Sequence, residues 1–117
     1  MAVEDSAALA ECLSFTELGV MQIHEALSVF EANRMRRTNA VRQASLDAAM
    51  VLHLPDGPEQ VARDVALKSK GSGRMTGKNL IGLMDLKTQM WCYGFDAAED
   101  MRKDLERWVA GEREIPR

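Results

Sequence analysis

The sequence predicts a mainly α-helical chain of about five helices, and three observations carry that expectation. Apolar residues recur at three- and four-residue steps, the period of a helix face, and strand-like alternation is hard to find. Aromatic residues make up only 5% of the 117 residues, whereas Met (8) and Ala are plentiful, a balance that leans helical. Near the end, Ala98, Met101, Leu105, Trp108 and Val109 fall at offsets 0, 3, 7, 10 and 11, which is one amphipathic stripe.

The first helix is expected from Ala2 to Phe15, ending near Gly19, with Val3, Ala7, Leu9, Ala10 and Leu13 as its apolar positions. Glu4 and Asp5 stand in its first turn, where free N–H groups and the helix dipole favour negative charge. An apolar helix so near the terminus, with nothing in the sequence to cover its flanks, reads like the interior of a larger protein. A second helix is expected over 21–35, with Ile23, Leu27 and Phe30 on one stripe. A third, over 38–52, would present Val41, Ala44, Ala48 and Val51 to a core. Arg36-Arg37-Thr38-Asn39 contains neither Pro nor Gly, so one long helix with a bend is the alternative.

His53-Leu54-Pro55-Asp56-Gly57-Pro58 is the clearest punctuation. Pro55 disfavours helix at Leu54, Asp56-Gly57 is a turn pair, and Pro58 suits the first turn of a new helix. That helix carries Glu59, Val61, Val65 and Leu67. Residues 68–79 (K-S-K-G-S-G-R-M-T-G-K-N) read as a flexible basic loop, followed by a short helix or turn over 80–93. Asp96 is placed to cap the final helix, and the tail from Gly111 to Arg117 is expected to fray.

Composition narrows the function classes. The length suits one domain and one core, and an apolar content of 46% argues against wholesale disorder. A net charge of −3 argues against a dedicated nucleic-acid binder. No apolar run approaches membrane-spanning length, and the start lacks the features of a signal peptide. Cys12 and Cys92 lie 80 positions apart without CxxC spacing, so two buried free thiols in a reducing, cytoplasmic setting are favoured over a disulfide. His24 and His53 share no ligand spacing with each other or with a cysteine, and no metal site is expected.

Each candidate motif has a plainer reading beside it. Gly71 to Lys78 invites a phosphate loop, but five residues separate Gly71 from Gly77 and Asn79 follows Lys78 where Ser or Thr is needed. A solvated loop is the better reading. Arg34, Arg36, Arg37 and Arg42 could meet phosphate, yet Glu25 and Glu31 precede them, and helical arginines are more often solvated or paired. His24 reads as a partly buried structural imidazole. Trp91, Tyr93 and Phe95 could line a pocket but more often such a cluster seats a terminal helix. Glu4 and Asp5, as helix neighbours, point about 100° apart and would not share a substrate.

Four segments, in the same order, resemble the C-terminal part of FAD-dependent aromatic hydroxylases, the salicylate-hydroxylase-like monooxygenases, and look closest to fungal members. Met1 to Asp5 followed by A-A-L-A is similar to the helix after that family's G-Q-G stretch. Ala26-Leu27, Phe30-Glu31, Arg34, Arg37-Thr38, Val41 and Ser45 are similar to its A-L-x-x-Y-E-x-x-R-x-x-R-T-x-x-V-x-x-x-S run, with Phe30 for the usual Tyr. His53 to Gln60 with Arg63-Asp64 is the most specific match, and Trp91 with Tyr93-Gly94-Phe95-Asp96 is similar to W-x-Y-G-Y-D.

The resemblance implies the C-terminal helical part of a larger α/β flavin monooxygenase fold. The family's G-x-G-x-x-G turn, its Gly-Asp motif and its substrate sheet have no counterpart in this sequence. By the same implication, residues 1–19 would belong to the parent's FAD-binding domain and 20–117 would form the C-terminal helical region. Met1 and Ala2 would lie at the edge of the flavin site, where helix N–H groups can stabilise reduced-flavin charge. FAD and NAD(P)H are the implied cofactors, used with O2 to hydroxylate a phenolic acid such as salicylate. This chain alone is expected neither to bind them nor to turn over. The implied partner of the first helix is the N-terminal FAD domain or, in a stand-alone module, a second copy. No nucleic acid, membrane or metal partner is expected.

Overall fold

A computed structural model describes residues 1–70 and 86–112. Among them lie five helices and no strand: α1 (Ala2–Glu17), α2 (Ile23–Leu52), α3 (Pro58–Lys70), α4 (Leu86–Tyr93) and α5 (Ala97–Val109). The mainly helical expectation holds. The second and third expected helices are one, α2, because no breaker interrupts residues 36–39. Lys68 to Lys70, expected in the basic loop, close α3. The rest of that loop, including the phosphate-loop candidate, lies outside the described residues, as does the tail beyond Glu112.

The chain divides into two compact units, Met1–Ala40 with Phe95–Arg117, and Val41–Gly94. In the first, α1 packs on α5. Ala8, Cys12, Met21, Ala26, Val29, Met101 and Leu105 are buried together, with Phe15, Phe30 and Trp108 packed against them. Met101 and Leu105 are fully buried, each worth about 1.5–3 kcal/mol of transfer free energy. The stripe expected on the last helix is therefore its inner face, apart from Val109, which is exposed.

The apolar flank of α1 for which the sequence offers no cover lies largely on the outside. Ala8 and Cys12 point inward, while Val3 is 84% exposed, Leu13 44%, and Ala10 is also exposed. Small side chains let α5 approach closely, and that rotation also carries Glu4, Asp5 and Glu11 to arginine partners. Likewise Ile23 and Leu27 are exposed, whereas Ala26 and Val29 fill the core.

Helix ends follow known backbone chemistry. After α1, Gly19 takes φ 70°, Gly19 N–H donates to Thr16 O (3.0 Å), and Val20 N–H donates to Phe15 O (3.1 Å). This pair of bonds satisfies the last-turn carbonyls, and the left-handed φ requires glycine or accepts strain. Asp96 caps α5 as expected, its carboxylate accepting from Glu99 N–H at 2.9 Å.

In the second unit none of the residues whose side chains are described is buried. Val41, Ala44, Ala48 and Val51 are half-buried, so the expected face of this part of α2 is its most covered one. Arg63 closes the end of α2: its Nη1 donates to Val51 O (3.0 Å) and Leu52 O (2.7 Å). A cation on the last carbonyls of a helix satisfies orphan acceptors and opposes the dipole. Asp64 holds that guanidinium through Nε (2.9 Å) and Nη2 (2.7 Å), and Gln60 in turn bonds Asp64. At the end of α4, Gly94 N–H donates to Met90 O, and a Cβ on Gly94 would stand 2.7 Å from that same oxygen. Among the described residues, no helix is long and apolar enough to cross a membrane.

Candidate functional site

The residues the sequence marks as a flavin edge, Met1 and Ala2, are exposed at the start of α1. Met1 is the N-cap residue and gives no side-chain cap; its carbonyl accepts from Asp5 N–H at 2.8 Å. The first turn is fixed instead by its two acids. Arg34 donates from Nε to Asp5 Oδ1 (2.7 Å) and from Nη2 to Glu4 Oε2 (3.0 Å). Arg37 grips Glu4 with both Nε and Nη2 at 3.2 Å, and its guanidinium lies 4.0 Å over the Phe95 ring. Arg34 and Arg37 are themselves buried. The Arg37 hydrogen bond, with Arg34 adding to it against the opposing pull of burial, holds the Glu4 carboxyl below its ordinary 4.5.

One turn of α2 thus faces two ways. Asn33 and Arg36 reach the α5 acids, where Asn33 Nδ2 donates to Asp100 (2.7 Å) and Asp104 (2.8 Å). Arg36 Nη2 donates to the same two carboxylates at 3.0 and 2.9 Å. Asp104 and Asn33 are buried, so this is an interior polar lock. A third tie, Arg102 to Glu11, runs from α5 to α1 at 2.8–3.0 Å. Asn33 Oδ1 and Arg34 Nη1 are buried without a hydrogen-bond partner.

The plainer reading of the arginine cluster holds for Arg34, Arg36 and Arg37, but Glu25 and Glu31 are not their partners in these pairs. The acids lie on α1 and α5, distant in sequence. Arg42 is exposed in the other unit. His24 is exposed, which corrects the expectation of a partly buried imidazole. At the start of α2 the inward positions go to Ala26 and Val29. Of the aromatic trio only Phe95 belongs to the unit of the last helix; Trp91 is exposed and Tyr93 is 82% exposed. Both cysteines are free, Cys12 buried with its thiol pushed up to about 11 by that burial, Cys92 only half-buried.

Asp100 and Asp104 were not legible as partners from local pattern alone. The available signal is their four-residue spacing beside the Met101–Leu105 stripe, opposite a helix with Asn33 and Arg36 three apart.

In the first turn of α1 two carboxylates and two guanidiniums cancel, and those side chains are committed to each other. What remains there is an exposed helix start at Met1 and Ala2. A shallow depression of about 300 Å³ lies elsewhere, lined by Lys103, Glu106, Arg107, Ala110 and Glu112, with charges of both signs. Among the described residues no three His, Cys, Asp or Glu side chains are placed to hold a metal ion.

Three of the four segments that carry the family resemblance meet in this geometry. The Glu4-Asp5 turn, the Arg34/Arg37 pair and Phe95 form one network, while the His53–Asp64 segment supplies the α2–α3 tie in the other unit. No family model matches the chain, and no solved structure matches it. Over 104 residues it is 35% identical to the FAD-dependent monooxygenase atnJ of Arthrinium sp, an alignment that takes in 89% of this chain. The chain spans 23% of the length of that curated relative. The match supports kinship with one segment of a fungal FAD-dependent monooxygenase.

Proposed function

We propose that this chain is the C-terminal helical segment of a salicylate-hydroxylase-like flavin monooxygenase, and that it has no hydroxylase activity by itself. The observation that carries the reading is the 35% identity over nearly the whole chain to a fungal FAD-dependent monooxygenase. In such an enzyme FAD, reduced by NAD(P)H, supplies the oxygen chemistry. This chain's own residues would fix the start of α1: Arg34 and Arg37 hold Glu4 and Asp5, so that Met1 and Ala2 are presented at the flavin's border. The substrate class, a phenolic acid such as salicylate, is what the resemblance of the four segments implies for the parent enzyme. Free thiols fit a cytoplasmic setting.

The partner in this reading is the FAD domain, seated on the outward face of α1. The acids Glu4, Asp5 and Glu11 are all turned to arginines of α2 and α5, leaving Ala2, Val3, Ser6, Ala10, Leu13 and Ser14 outside, with Glu17 exposed at the C-terminal end of the same face. The Ser6 and Ser14 hydroxyls donate back to Ala2 O (2.9 Å) and Ala10 O (3.0 Å), so their donor protons are satisfied within the helix. Such a face suits burial against another surface.

The test has two parts. The purified chain, mixed with FAD and passed through gel filtration, is expected to retain no flavin and to consume no NAD(P)H with salicylate. Flavin retention with substrate-dependent NAD(P)H oxidation would overturn the claim of inactivity. Second, this chain is exchanged for the matching segment of the Arthrinium enzyme. The chimera is expected to hold FAD where simple deletion of the segment does not; a chimera as flavin-free as the deletion would sink the kinship of role.

One observation favours a second reading. The unit of α1, the first part of α2 and α5 closes a core of its own, as a stand-alone binding module would. That module would pair with a second copy through the same α1 face. A sharp melt and a single species of twice the chain mass would support it over the first reading, which expects association with an FAD domain.

A further inference from the structure

We draw no further inference here: the strongest candidate beyond the proposed role, the exposed apolar side chains Leu46, Met50, Val61 and Val65 on the second half of α2 and on α3, carries nothing because nothing in the structure shows what covers them.

Discussion

The two halves of α2 share one helix and two physical regimes. From Ala26 to Arg37 it buries Ala26, Val29, Asn33, Arg34 and Arg37, at helical spacing, within a unit completed by α1 and α5. From Val41 to Leu52 its best-covered residues, Val41, Ala44, Ala48 and Val51, are only half-buried. The period of apolar residues is as regular in the second half as in the first. Helical pattern therefore establishes a helix and its inward face, but not how completely that face is covered. Coverage comes from partners distant in sequence, and these are what give most helices their stability.

The sharpest way to break this contrast is to truncate the core of the first unit. Leu105→Ala removes a fully buried side chain and is expected to cost about 2–5 kcal/mol. Urea unfolding followed by far-UV circular dichroism would read it as a lower midpoint. Hydrogen exchange on the variant should show amides of residues 26–37 losing protection, while those of 41–52 change little. Equal loss in both halves would mean that α2 unfolds as one cooperative body and that the contrast has no energetic content.

Next in size is the arginine network. Arg34→Ala strips Glu4 and Asp5 of a shared, buried partner; allowing for the exposure of Asp5, about 2–3 kcal/mol is expected. The same network sets a pH dependence. The Glu4 carboxyl is held below 4.5 in the folded chain, so its contribution is complete above pH 4.5. That contribution is lost as pH falls through the lower folded value. Glu4→Gln should therefore flatten the acid limb of a stability–pH curve while lowering its plateau. An unchanged acid limb would mean that other carboxylates govern acid unfolding.

How much of this was legible follows from the range of each cue. The Asp96 cap, the Gly19 stop, the Met101–Leu105 stripe and the Val41–Val51 face depend on neighbours within a few residues, and pattern alone locates them. The inward face of α1 is not legible locally, because Val3, Leu9 and Leu13 are larger and more apolar than Ala8 and Cys12, which fill the core. Size matters less there than the fit to α5 and the pull of Arg34, Arg37 and Arg102 on three acids. That the arginines are paired follows from the sequence, but their partners do not, because those acids lie 29 to 68 positions away. Met1 and Ala2 carry no local feature that marks a cofactor; only the family resemblance singled them out.

A smaller effect tests the seam where α5 begins. Asp96→Ala removes the bond to Glu99 N–H and should cost about 1 kcal/mol, as N-caps do. Asp96→Asn, which keeps an acceptor, should recover most of it. If both variants lose equally, Asp96 acts through its charge beside the helix start rather than through the cap, and the midpoint difference should then shrink in high salt.

The smallest effect is expected in α3. Val61 and Val65 are 56% and 62% exposed, so Val61→Ala and Val65→Ala remove little buried surface. Alanine is also the better helix former by about 0.5 kcal/mol, which offsets what packing is lost. Each change should fall within about 0.5 kcal/mol of zero, on the stabilising side if either. A cost above about 1 kcal/mol would show that these valines are covered in solution. Repeating the melt over a hundredfold range of protein concentration would then separate the sources. A midpoint that rises with concentration places a second copy over α3, and a constant midpoint places the cover within the chain. Either result would erase the difference between the two units.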